Sequence, residues 1–113
     1  MTRNEIISHI KLSLQHLNVN KVILFGSYTK GTQSEDSDID LLVITNDNFV
    51  FESFAQKREI KLKIANALNS LRKFVDIDLI VQTKPMYDQF IHLDSGFKKE
   101  IINTGSVIYE ANN

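Results

Sequence analysis

Asp38-Ile39-Asp40-Leu41-Leu42-Val43-Ile44-Thr45 reads DIDLLVIT, and Asp76-Ile77-Asp78-Leu79-Ile80-Val81-Gln82-Thr83 reads DIDLIVQT. Side chains alternate along a strand, so each stretch, read as a strand, sets two acids at its start on one side. In the first, Asp38, Asp40, Leu42 and Ile44 share a face, and Ile39, Leu41, Val43 and Thr45 share the other. In the second, Asp76, Asp78, Ile80 and Gln82 lie opposite the apolar stripe Val75, Ile77, Leu79 and Val81. If the two strands are neighbours, three or four carboxylates converge. Such a cluster is costly without a cation, because like charges oppose each other's ionisation. Hard oxygen donors suit Mg²⁺ or Mn²⁺. Acids at i and i+2 lie roughly 6–7 Å apart at Cα. Their tips can close on two metals about 3.5–4 Å apart, the spacing of two-metal phosphoryl-transfer sites. The flanks differ, GTQSEDS before one copy and NSLRKFV before the other, which argues for convergence rather than duplication. A lone Asp-x-Asp is more simply a solvated strand start, and Glu35 and Asp36 in SEDSD read as loop residues.

The segment upstream of the first copy changes the odds. Lys21–Phe25 (KVILF) is a short β-rich run that stops at Gly26 and reads as a buried strand. Gly26 permits close backbone approach, Ser27 adds a hydroxyl donor and Lys30 a point charge, a turn chemistry suited to phosphate. Neither GK[ST] nor GxGxxG is present, so this is no Walker loop and no dinucleotide fingerprint. Gly-Ser alone is a common turn. The spacing Gly26-Ser27-x3-Gly31-x6-Asp38-x-Asp40 is far more specific than any of its parts.

Working outward, Ile6, Ile7, Ile10, Leu14 and Leu17 recur at helical spacing and predict an amphipathic helix over 3–18, with Thr2 or Asn4 as its cap. Residues 51–73 contain no Gly or Pro and predict a long helix. Residues 86–105 should be mostly helical, broken near Asp94-Ser95-Gly96, and Val107-Ile108-Tyr109 forms a last short strand. Helices interleaved with strands predict an α/β fold, a mixed β-sheet flanked by helices.

Composition closes off several classes. At 113 residues, 42% hydrophobic and 24% charged, the chain fits one domain with a real core. It has no cysteine, which removes disulfides, thiolate zinc and Cys nucleophiles and suits a reducing cytoplasm. A net charge of −1 disfavours a broad nucleic-acid surface. The N-terminal helix is interrupted by Glu5, His9, Lys11 and His16, unlike a signal peptide, and no stretch suits a membrane span. His9, His16 and His92 read as structural, and zinc is disfavoured. Lys57, Arg58, Lys61 and Lys63 read as scattered around a solvated helix.

The Gly-Ser turn and DxD strand together resemble the nucleotidyltransferase superfamily of DNA polymerase beta, kanamycin nucleotidyltransferase and poly(A) polymerases. The length resembles its minimal members, often the antitoxin partners of HEPN-domain toxins. The resemblance implies the polymerase beta-like nucleotidyltransferase fold as a minimal single domain over 1–113. It implies that Gly26 and Ser27 hold the triphosphate, and that Asp38 and Asp40 bind two Mg²⁺ ions, with Mn²⁺ as an alternative. Many relatives carry a basic residue directly after Gly-Ser; Tyr28 stands there, so Lys30 must supply that charge. A third carboxylate would complete the metal set and help activate the attacking hydroxyl. Asp78 is the choice, and Asp76, on the same face, is its rival. The implied reaction moves AMP from ATP to a hydroxyl, releasing pyrophosphate, with a tyrosine of a HEPN toxin as acceptor and the chain acting as an antitoxin. A homodimer or hetero-oligomer would complete so small a site. Two alternatives stay open: a catalytically silent module that neutralises a toxin by occlusion, and a transferase acting on a small molecule.

Overall fold

The first helix begins where its cap dictates. Thr2 Oγ1 accepts from the Glu5 N–H at 3.1 Å, and the Glu5 carboxylate accepts from the Thr2 N–H at 3.3 Å. This reciprocal capping box starts α1 (Arg3–Leu14) and leaves Ile6, Ile10 and Leu14 on its buried side. The computed structural model describes residues 2–26 and 38–111. After α1 come β1 (Val19–Phe25), β2 (Ile39–Thr45), α2 (Phe54–Ala67) and α3 (Asn69–Arg72). They are followed by β3 (Ile77–Thr83), α4 (Lys84–Phe90), α5 (Gly96–Thr104) and β4 (Ser106–Glu110).

The boundaries follow local chemistry. Ser53 Oγ accepts from the Gln56 N–H at 3.1 Å, so α2 starts at Phe54 rather than at 51. The helix expected to run on to 73 breaks at Leu68, whose φ of −96° and ψ of 4° divide α2 from α3. Pro85 lies in the first turn of α4, where a missing N–H costs nothing. The break expected near 94–96 is the Ser95 cap of α5, with its hydroxyl accepting from the Lys98 N–H at 3.1 Å. Helix α1 stops at Leu14, short of the predicted 18, and β1 begins two residues earlier than predicted, at Val19.

The four strands form one sheet in the order β3-β2-β1-β4. Strand β1 is antiparallel to β2 and β4, and β2 is parallel to β3. The two central strands are covered on both faces, which is why VILF and LLVI read as unbroken apolar runs rather than alternations. On one face Val22, Leu24, Ile39, Leu41, Val43, Leu79 and Val81 pack under α1, α2 and α3. On the other, Ile23, Phe25, Leu42 and Ile44 pack under Phe90 of α4 and Ile101 of α5. Leu41 is fully buried at the centre of the larger core. Leu41→Ala should cost about 2–5 kcal/mol. Urea unfolding checks this: the midpoint should fall with the slope unchanged. Among the described residues, no helix is long and apolar enough to cross a membrane.

Candidate functional site

Parallel pairing decides where the acids meet. Because β2 and β3 run the same way, both DID starts lie at one end of the sheet, beside the C-terminal end of β1. The register sets Asp40 opposite Asp78, Ile39 opposite Ile77 and Leu41 opposite Leu79. On the other side of β2, Asp40 is opposite Phe25, and Gly26 follows directly. Two strand starts and one strand end therefore bring Gly26, Asp40 and Asp78 together. Asp38 is exposed just ahead of β2. Asp76 is also exposed and precedes β3; its backbone carbonyl accepts from the Ile39 N–H at 2.8 Å, tying the two strand starts together. Of the two rivals for the third carboxylate, Asp78 is the one that the register places opposite Asp40.

The electrostatics point to the same cluster. The Asp40 carboxyl is held above its ordinary value, first by partial burial and then by the negative charges of Asp78, Glu100 and Asp38. Both causes disfavour the ionised form, and both would be relieved by a cation. The donors are all hard oxygens, the type that suits Mg²⁺ or Mn²⁺. Among the described residues, no three acid or histidine side chains are already arranged to hold one ion.

Glu100 is the member that reading the sequence missed. Phe97 of α5 packs edge-on to Phe25 with ring centroids 5.6 Å apart, and against Phe90 of α4 at 5.2 Å. One turn further on, Glu100 sits close enough to bear on Asp40. Thr104, a turn beyond, donates its hydroxyl to the Glu100 carbonyl at 2.7 Å and accepts from the Gly26 N–H at 3.4 Å. Helical spacing in Phe97, Ile101 and Thr104 was readable as a packing face; which end of the sheet it would cover was not.

Gly26 has a φ of 80°, and a methyl group there would run into the Asp40 carboxylate. Its own N–H is turned towards Thr104, so what this position offers an anion is close backbone approach. Ser27, Tyr28, Lys30 and Gly31 lie outside the described residues.

The chain is similar to known proteins over most of its length. The family described as "Polymerase beta, Nucleotidyltransferase" matches residues 8–113. Protein adenylyltransferase MntA of Shewanella oneidensis is 37% identical over 81 residues, covering 59% of this chain and 52% of that protein. The chain thus spans about half the length of that relative. MJ0604 of Methanocaldococcus jannaschii, which bears the name of a protein adenylyltransferase, is 29% identical over 91 residues, 80% of this chain and 79% of its own length. In fold, the chain is similar to a toxin-antitoxin crystal structure with AMP-PNP: the TM-score is 0.53 at 23% identity, over 98% of this chain and 75% of that one. A family match that runs almost from end to end places this chain in the polymerase beta nucleotidyltransferase family.

Proposed function

We propose that this chain, acting as a single domain over 1–113, transfers AMP from ATP to a hydroxyl group of a protein partner. The observation that carries the reading is the pairing of Asp40 with Asp78 across parallel strands, beside the Gly26 turn. The names of the relatives, protein adenylyltransferases, support AMP and a protein acceptor. The structural neighbour, a toxin-antitoxin assembly with a bound ATP analogue, supports a toxin as the partner. A tyrosine of a HEPN-domain toxin is the acceptor we favour, modified in the cytoplasm by this chain acting as an antitoxin.

In this scheme Asp38, Asp40 and Asp78 would hold two Mg²⁺ ions, or Mn²⁺ in their place. The ions would supply charge neutralisation at the triphosphate and at the attacking oxygen. Gly26 lets the triphosphate approach the backbone, with Ser27 and Lys30 as further contacts. Asp78, near the incoming hydroxyl, accepts its proton. The acceptor oxygen then bonds to the α-phosphorus as the bond to the bridging oxygen of the β-phosphate breaks, and pyrophosphate leaves. The chain's contribution is position and charge, with no covalent intermediate.

Radiolabelled ATP and Mg²⁺, added to the chain with a co-expressed partner, test this. The wild type should label the partner, and the double variant Asp38→Asn with Asp40→Asn should not. Toxin neutralisation that persists in a wild type unable to label would favour the silent module that acts by occlusion. Label passing to a small hydroxyl compound instead of the partner would favour the small-molecule transferase. The same assay separates the two late acids: Asp78→Asn should lower labelling about a hundredfold or more, whereas Asp76→Asn should leave it within a few fold.

A further inference from the structure

Three cations expected to scatter around a helix instead gather on one side of it. Lys57, Arg58 and Lys61 occupy exposed positions within one arc of α2, beside the stripe that buries Ile64. Between and beside them stand two large apolar side chains, Phe54 (87% exposed) and Leu62 (51% exposed). Arg72 of α3 joins them, and together they line an open groove of about 450 Å³. Among the described residues none of these four cations is in an ion pair, whereas Lys63, further round the same helix, pairs with Glu59 at 3.9 Å. The chain as a whole has a net charge of −1, so this strip of positive charge is a local concentration.

We propose that this face of α2 is a docking groove for an acidic amphipathic helix of a protein partner. The charge selects an anion, and the exposed aromatic and leucine select one with an apolar side. A helix laid in a groove satisfies both, with its apolar residues against Phe54 and Leu62 and its carboxylates against Lys57, Arg58, Lys61 and Arg72. A nucleic acid would use the cations and leave Phe54 and Leu62 in water. The groove also leads to the acid end of the sheet: the Arg72 guanidinium donates to the carbonyl of Ile77, the residue before Asp78, at 3.3 Å. A partner seated there borders the strand start that carries Asp78, on the sheet face opposite the one Asp40 shares with Leu42 and Ile44. The groove goes beyond the transfer reading, because its residues are separate from those assigned to catalysis.

The test is fluorescence anisotropy with a labelled synthetic helix carrying glutamates on one face and leucines on the other. Lys57→Glu with Lys61→Glu should weaken binding at least about tenfold, with the circular dichroism unchanged. A lysine version of the probe should then prefer the reversed protein. Phe54→Ser should weaken binding without any change of charge, and Asp40→Asn should leave it intact. The proposal is overturned if charge reversal or Phe54→Ser has no effect. It is equally overturned if a scrambled probe of the same composition binds as tightly, or if single-stranded DNA displaces the helix, which would make the strip a polyanion surface.

Discussion

Asp40→Asn should silence nucleotidyl transfer and, at the same time, make the protein more stable at neutral pH. The two effects come from one cause. Asp40 is partly buried and faces the charges of Asp78, Glu100 and Asp38, so its ionised form is disfavoured in the folded state. An amide of nearly the same shape removes the desolvation of the charge and the three repulsions. It also removes an anionic oxygen from the acid end of the sheet, where the proposed transfer places the triphosphate. Losing one such electrostatic contact lowers turnover about a hundredfold to a thousandfold. The sign of the pH dependence follows by linkage. Folding raises the Asp40 carboxyl above its ordinary 3.8, so the folded chain holds this proton to higher pH than the unfolded chain does. Stability from this group therefore falls as pH rises from the ordinary value through the raised one, and stays lower at neutral pH. Melting temperatures across that window should decline for the wild type and stay flatter for Asp40→Asn. Mg²⁺ should raise the melting temperature of the wild type more than that of the variant. A variant that is less stable than the wild type at neutral pH, or equally active, would remove Asp40 from the role assigned to it.

What the sequence made legible here was alternation, and what it withheld was direction. DIDLLVIT and DIDLIVQT each assign their acids to one face from the period of two alone. Whether those faces share a site depends on pairing. Antiparallel neighbours would put Asp40 and Asp78 at opposite ends, and a slip of one residue would turn one acid to the other face. The long helical segment between the two copies does argue for a crossover and hence a parallel pair. The register, Asp40 opposite Asp78, has no local signal. Glu100 was illegible for the same reason, since its place depends on α5 crossing back over the sheet so that Phe97 meets Phe25. The grouping of Lys57, Arg58 and Lys61 lay within reach of the helical period, but Arg72 joins them only because α3 folds back beside α2.

The sharpest expectation concerns Gly26. Gly26→Ala should both destabilise the chain and abolish transfer, for two separable reasons. The first is backbone: at a φ of 80° an L-residue is strained, at about 1–2 kcal/mol. The second is space, because the added methyl collides with the Asp40 carboxylate and either the strand end or the acid must shift. A double-mutant cycle separates them. On an Asp40→Ala background the carboxylate is gone, so Gly26→Ala should cost only the backbone part, about 1–2 kcal/mol. In the wild-type background the cost should exceed that. The difference measures how tightly β1's exit is fitted against β2's acid. Two other glycines calibrate the experiment. At Gly96 a methyl meets nothing within 4 Å, so Gly96→Ala should be neutral or slightly stabilising. At Gly105 a methyl strikes the Ile101 carbonyl and comes within 2.9 Å of Ile23 Cγ2, so Gly105→Ala should lower stability without contact with any of the acids. Equal costs for Gly26→Ala on the two backgrounds would mean that the turn and the carboxylate are not fitted to one another. The approach of a triphosphate to Gly26 beside Asp40 would then lose its structural basis.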